Sequence, residues 1–91
     1  MSIEWAAMQE AYRKHIENLR YQIKKINEEI LILEAIDEFK KHAHINSIDL
    51  DNAIANQIED RKAEINAIEQ EITMYIRDVK EVTKDDSSEA L

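Results

Sequence analysis

The chain of 91 residues contains no glycine, no proline and no cysteine. Without glycine and proline the usual means of building tight turns, bulges and hairpin loops are missing, which argues against a sheet and for a few long helices. Without cysteine there are no disulfides, no thiolate zinc sites and no cysteine nucleophile. Aromatic residues are also scarce, with one Trp, one Phe and three Tyr, too few for a deep core at this length. No apolar run exceeds four residues, far short of a membrane span. Met1 is followed by no basic segment and apolar stretch of the signal-peptide kind, so a cytoplasmic protein with no membrane association is expected.

What the chain does have is charge and period. Charged residues make up 35 % of it and the net charge is −8. The charge is unevenly placed. Residues 11–27 carry five cations, Arg13, Lys14, Arg20, Lys24 and Lys25, against Glu17 alone, a local net of +4. The acidic total disfavours direct binding of nucleic acid or an anionic membrane by the whole molecule.

Apolar residues recur in alternating steps of three and four. In the first half these are Trp5, then Tyr12, Ile16, Leu19, Ile23, Ile26, Ile30 and Leu33, with Gln9 in the same phase. In the second half they are Ile54, Ile58, Ile65, Ile68, Ile72, Tyr75, Val79 and Val82, with Arg61 in phase. This is the coiled-coil pattern, and it predicts two helices, about 3–44 and 48–82. Asn46 can adopt the left-handed conformation that ends a helix. Ser47 followed by Asp49 and Asp51 reads as a helix start, so the turn is placed at about 45–47. Residues 83–91, TKDDSSEAL, show no period and are expected to form a polar, disordered tail.

Folding the chain back on itself at this turn pairs residues whose numbers sum to about 91. Ile23 then meets Ile68, Leu19 meets Ile72, Ile16 meets Tyr75, Tyr12 meets Val79, Ile26 meets Ile65 and Leu33 meets Ile58. All six pairs are apolar. The same register brings Arg20 near Glu69 and His15 near Asp78. The expected fold is therefore all-α, one long antiparallel two-helix hairpin of coiled-coil type, self-associating into a helical bundle.

Three groups of residues fall outside that seam. Leu31, Ile32, Ala35, Ile36, Phe39 and Ala43, joined by Ile48 and Leu50, form an apolar surface toward the tip. Burying each large side chain contributes about 1.5–3 kcal/mol relative to exposure, so these eight residues are the expected oligomer interface, most simply of a dimer. Trp5 and Met8 overhang the end of helix 2; they either fold onto Val79 and Val82 or contact a partner. Tyr12, Arg13, Lys14, Arg20, Tyr21, Lys24 and Lys25 form a basic, aromatic-interleaved face suited to an anionic ligand or an acidic partner, or to pairing with the acidic remainder.

Catalytic chemistry finds little support. His42 and His44 flank the turn, but residues two apart on a helix diverge and no third ligand joins them. Carboxylates are plentiful, yet nothing provides the apolar pocket that would separate their pKa values. No catalytic residue, metal ligand or cofactor is expected. Within SIDLDNAI, residues 47–54, Ser47, Leu50 and Asp51 are similar to the Ser-Gln-Glu-Leu-Asp motif of the small helical-hairpin phosphatases that act on sporulation response regulators. Ile48 and Asp49 depart from it, and the likeness covers eight residues of 91, so no phosphatase activity is inferred from it. Arg61, a cation at a seam position with Glu28, Glu34 or Glu64 in reach, is expected to set register rather than to catalyse.

The expected function is thus a non-enzymatic, acidic protein–protein interaction module that works as a homo-oligomer on a protein target, such as an adaptor, assembly factor or inhibitor. Two alternatives are a nucleic-acid mimic that inhibits a DNA- or RNA-binding protein, and a module that holds a nucleotide-like anion between subunits.

Overall fold

A computed structural model describes residues 3–90, with side chains placed for residues 5–80. It consists of two helices, α1 (Ile3–His42) and α2 (Ile48–Ala90), packed against each other as a hairpin. The molecule is a rod of 68 × 17 × 15 Å with a radius of gyration of 20.5 Å, against about 12 Å for a compact chain of this length.

The seam follows the three-four period. On α1 the side chains withdrawn from solvent are Trp5, Gln9, Ile16, Leu19, Ile23, Ile26, Ile30, Leu33, Asp37 and Lys40. On α2 the same phase covers Ile54, Ile58, Arg61, Ile65, Ile68, Ile72, Tyr75 and Val79. Among the described residues the buried hydrophobics are Leu19, Ile26, Ile30, Ile54 and Ile72, and none of them is completely closed off from solvent. The reason is geometric: a helix can bury only the stripe it turns toward its one neighbour, and most of its circumference stays wet. Tyr12, expected in the core, is slightly more exposed than the rest of the seam; its ring packs edge-on against Tyr75 at 5.5 Å between centroids.

The turn is built by backbone geometry that no glycine announces. His44 has a positive φ of 55°. Its N–H donates to the Lys41 carbonyl at 3.2 Å, and the Ile45 N–H donates to the Lys40 carbonyl at 3.0 Å. This pair of bonds closes a helix end around one left-handed residue. That residue is His44, not Asn46, so α1 ends at His42, two residues before the expected boundary. Ser47 caps the next helix as expected. Its Oγ accepts from the Leu50 N–H at 3.2 Å and its carbonyl accepts from the Asp51 N–H at 3.0 Å. With the apolar period gone but no glycine or proline to break the backbone, α2 continues beyond residue 82 to Ala90. Among the described residues no helix is long and apolar enough to cross a membrane.

Candidate functional site

At the tip, Lys40 occupies the seam position that follows Leu33 and Asp37. It is only 5 % exposed and is the one buried charged residue among those described. Its Nζ donates to the Ile45 carbonyl at 3.0 Å and forms an ion pair with Asp51, in the first turn of α2. One side chain therefore ties the end of α1, the connecting turn and the start of α2. Asp51 is half exposed, so the cation is desolvated far more than its anion. The pair obeys the same sum of 91 as the apolar seam, but a reading of apolar residues alone passes over it. Ser47 and Asp51, two of the residues similar to the phosphatase motif, are thereby occupied in capping and in this pair.

Arg61 extends the pattern. Its Nε donates to Glu29 across the seam at 2.6 Å, and one terminal nitrogen lies 3.5 Å from Glu64. Glu29 takes the place considered for Glu28 or Glu34. At the other end, His15 meets Glu71 at 3.3 Å, not Asp78. The Tyr75 ring lies edge-on to the same imidazole at 4.9 Å. Arg20 forms no pair with Glu69; among the described residues its guanidinium has no ionic partner.

The eight residues Leu31, Ile32, Ala35, Ile36, Phe39, Ala43, Ile48 and Leu50 all lie exposed on the hairpin. Among them Leu31, Ile32, Phe39 and Ile48 are 60 to 77 % exposed. Ile32, Ile36, Phe39 and Ala43 share one flank of α1, because steps of four, three and four return to the same side of a helix. Ile45 joins them as a further exposed apolar residue at the turn; it escaped sequence reasoning because it lies outside both helical periods.

Trp5 and Met8 line an apolar notch of about 210 Å³ together with Gln9, Tyr12, Asp78 and Val79. Val79, one of the two residues onto which they could fold, lines the same notch; the Val82 side chain is outside the described residues. Of the basic face, Arg13 is held by Glu10 and Glu17, and this contact keeps the Glu10 carboxyl below the usual carboxylate range, chiefly through the hydrogen bond from Arg13. Lys25 lies 3.7 Å from Glu28 and 5.4 Å from the Tyr21 ring centre. Lys14, Arg20 and Lys24 carry no ionic partner among the described residues. Of the predicted face, Tyr12 lines two apolar clefts, one with Trp5 and Met8 and the other with His15 and Tyr75. Among the described residues no group of three His, Asp or Glu side chains could hold a metal ion. No protein-family model matches the chain, and no curated protein or solved structure is significantly similar to it.

Proposed function

We propose that the chain is a non-enzymatic interaction module that acts as a homo-oligomer, with the tip of the hairpin as its subunit interface and the remaining helical surfaces free for a protein target. The observation that carries this reading is the pairing of a thin seam with a large uncovered apolar flank. Five buried hydrophobics among the described residues are little for a chain of 91. The accessible surface is 7189 Å², whereas a compact monomer of 10.7 kDa exposes about 5,500 Å². A second copy of the chain supplies what the first lacks, another apolar flank of the same dimensions.

The chemistry of the surface supports an absence of catalysis. Two open clefts at the open end of the hairpin are lined largely by apolar groups and a third, on α2, mostly by polar side chains, and among the described residues no carboxylate or imidazole is held in a dry pocket. A substrate would find neither enclosure nor a pair of groups with separated proton affinities.

The test is the double variant Ile32→Asp with Phe39→Asp. It places two charges on the flank without touching the seam. Loss of the oligomer, with unfolding at lower denaturant, is the expected outcome. Unchanged mass and stability would remove the tip as an interface.

A further inference from the structure

The self-association proposed above leaves open how two hairpins meet. We infer that they overlap only at their tips, with the α1 helices antiparallel about a two-fold axis near Ala35 and Ile36, so that the open ends of the two rods point in opposite directions. This rests on the homo-oligomer reading and adds orientation, register and length to it.

The apolar surface is confined to one end. Leu31, Ile32, Ile36, Phe39, Ile45, Ile48 and Leu50 account for seven of the exposed large hydrophobics, and all lie between residues 31 and 50. The others, Met8, Tyr12, Tyr21 and Met74, are scattered along the shaft. Followed toward the N-terminus, the flank of α1 that carries Ile32, Ile36 and Phe39 continues through Glu28, Lys25, Tyr21, Asn18 and Lys14. It is polar there, so a second helix gains contact only along residues 28–43.

Charge separates the three ways of placing a second copy on this flank. Two hairpins side by side and parallel would set Glu28 on Glu28, Lys25 on Lys25 and Lys14 on Lys14. Like charges directly opposed on neighbouring helices are unfavourable, each by about as much as an exposed ion pair is favourable, roughly 0.2–1 kcal/mol. Side by side and antiparallel, with the axis near residue 22, the two segments 11–27 would lie against each other, each with a net of +4, while Ile32, Ile36 and Phe39 would face the mixed surface of the opposite end.

Overlap at the tips avoids both costs. Residues whose numbers sum to about 71 then meet: Ile32 against Phe39, and Ala35 against Ile36, with the small alanine admitting close approach. Glu28 of one copy comes to the last turn of the other, which carries the exposed Lys41 and His42. The two basic segments are carried to opposite ends, well beyond the roughly 8–10 Å over which exposed charges interact at physiological salt.

The overlap spans about 24 Å at 1.5 Å per residue. Two rods of 68 Å joined in this way measure about 110 Å from end to end, whereas either side-by-side arrangement remains at about 70 Å. Small-angle scattering of the unaltered protein separates these lengths. The absence of cysteine allows a second readout with no background. Glu28→Cys and Ala43→Cys lie at the rim of the overlap and leave the large apolar residues in place. Mixed and oxidised, they form a disulfide between the two variants in the tip-overlapped dimer, and neither variant cross-links to itself. A maximum dimension of about 110 Å, the two rod lengths less the helical overlap, with cross-linking only in the mixture is the expected result. A dimer of only about 70 Å, the length of one rod, or self-cross-linking of Glu28→Cys, overturns the orientation while leaving self-association standing. Monomer at every concentration overturns both.

Discussion

Replacing Lys40 by methionine isolates the polar part of the tip. The substitution keeps an unbranched stem of similar length, and so keeps most of the packing, but removes the ammonium that bonds the Ile45 carbonyl and pairs with Asp51. Two effects oppose each other. Hydrogen bonds to a charged group contribute about 1.5–3 kcal/mol, and their loss leaves the part-buried Ile45 carbonyl without this donor. Against this, the desolvation of a cation that is only 5 % exposed is relieved, and replacing buried ion pairs by apolar groups is often neutral or stabilising. The first effect wins here for a structural reason. Asp51 is half exposed and keeps much of its hydration, so the pair was never fully dry, and the carbonyl bond closes the turn itself. The net cost of Lys40→Met is about 1–2 kcal/mol. Lys40→Ala costs about 1–2 kcal/mol more, because it also strips buried methylenes worth about 0.8 kcal/mol each. Urea unfolding followed by far-ultraviolet circular dichroism measures both. Protein concentration must be held fixed, since stability of an oligomer depends on it. Stability of Lys40→Met equal to or above the unaltered chain would refute the assignment of Lys40 as the tie between turn and helices.

Two neighbouring positions predict opposite signs in the same assay. His44→Gly should stabilise by about 0.5–1 kcal/mol, because His44 sits at φ 55° and a left-handed conformation costs an L-residue about 1–2 kcal/mol, partly offset by the greater unfolded-state freedom of glycine; a loss of stability would mean that the imidazole makes a contact worth more than the strain. Ser47→Ala should destabilise by about 1 kcal/mol through loss of the cap on α2, and no change in the urea midpoint would remove Ser47 from that role.

The hairpin was legible because it rests on the most redundant signal a sequence carries. A period of alternating threes and fours repeated along both helices leaves one phase that pairs apolar with apolar, and Leu19, Ile26, Ile30, Ile54 and Ile72 are buried in that phase. The turn was less legible. Helix ends are usually marked by glycine or asparagine, and here a histidine takes the left-handed position, held by backbone bonds that depend on geometry rather than on residue type. Lys40 was missed for a related reason. The pattern was followed through apolar residues only, yet Asp37 and Lys40 continue the seam and Ile32, Ile36 and Phe39 stay outside it. The available signal was register, since Lys40 and Asp51 obey the pairing rule of the apolar residues. His15 meets Glu71 and the edge of the Tyr75 ring, contacts that numbering alone does not reveal.

The claim that an incomplete seam and an uncovered tip make this chain a self-associating module is tested most directly by its mass in solution. Light scattering or sedimentation across a range of concentrations should give twice the chain mass of 10.7 kDa for the unaltered protein, and a fall toward the single-chain mass for Ile32→Asp with Phe39→Asp. A mass of 10.7 kDa for the unaltered protein at every concentration, with cooperative unfolding retained, would contradict the account.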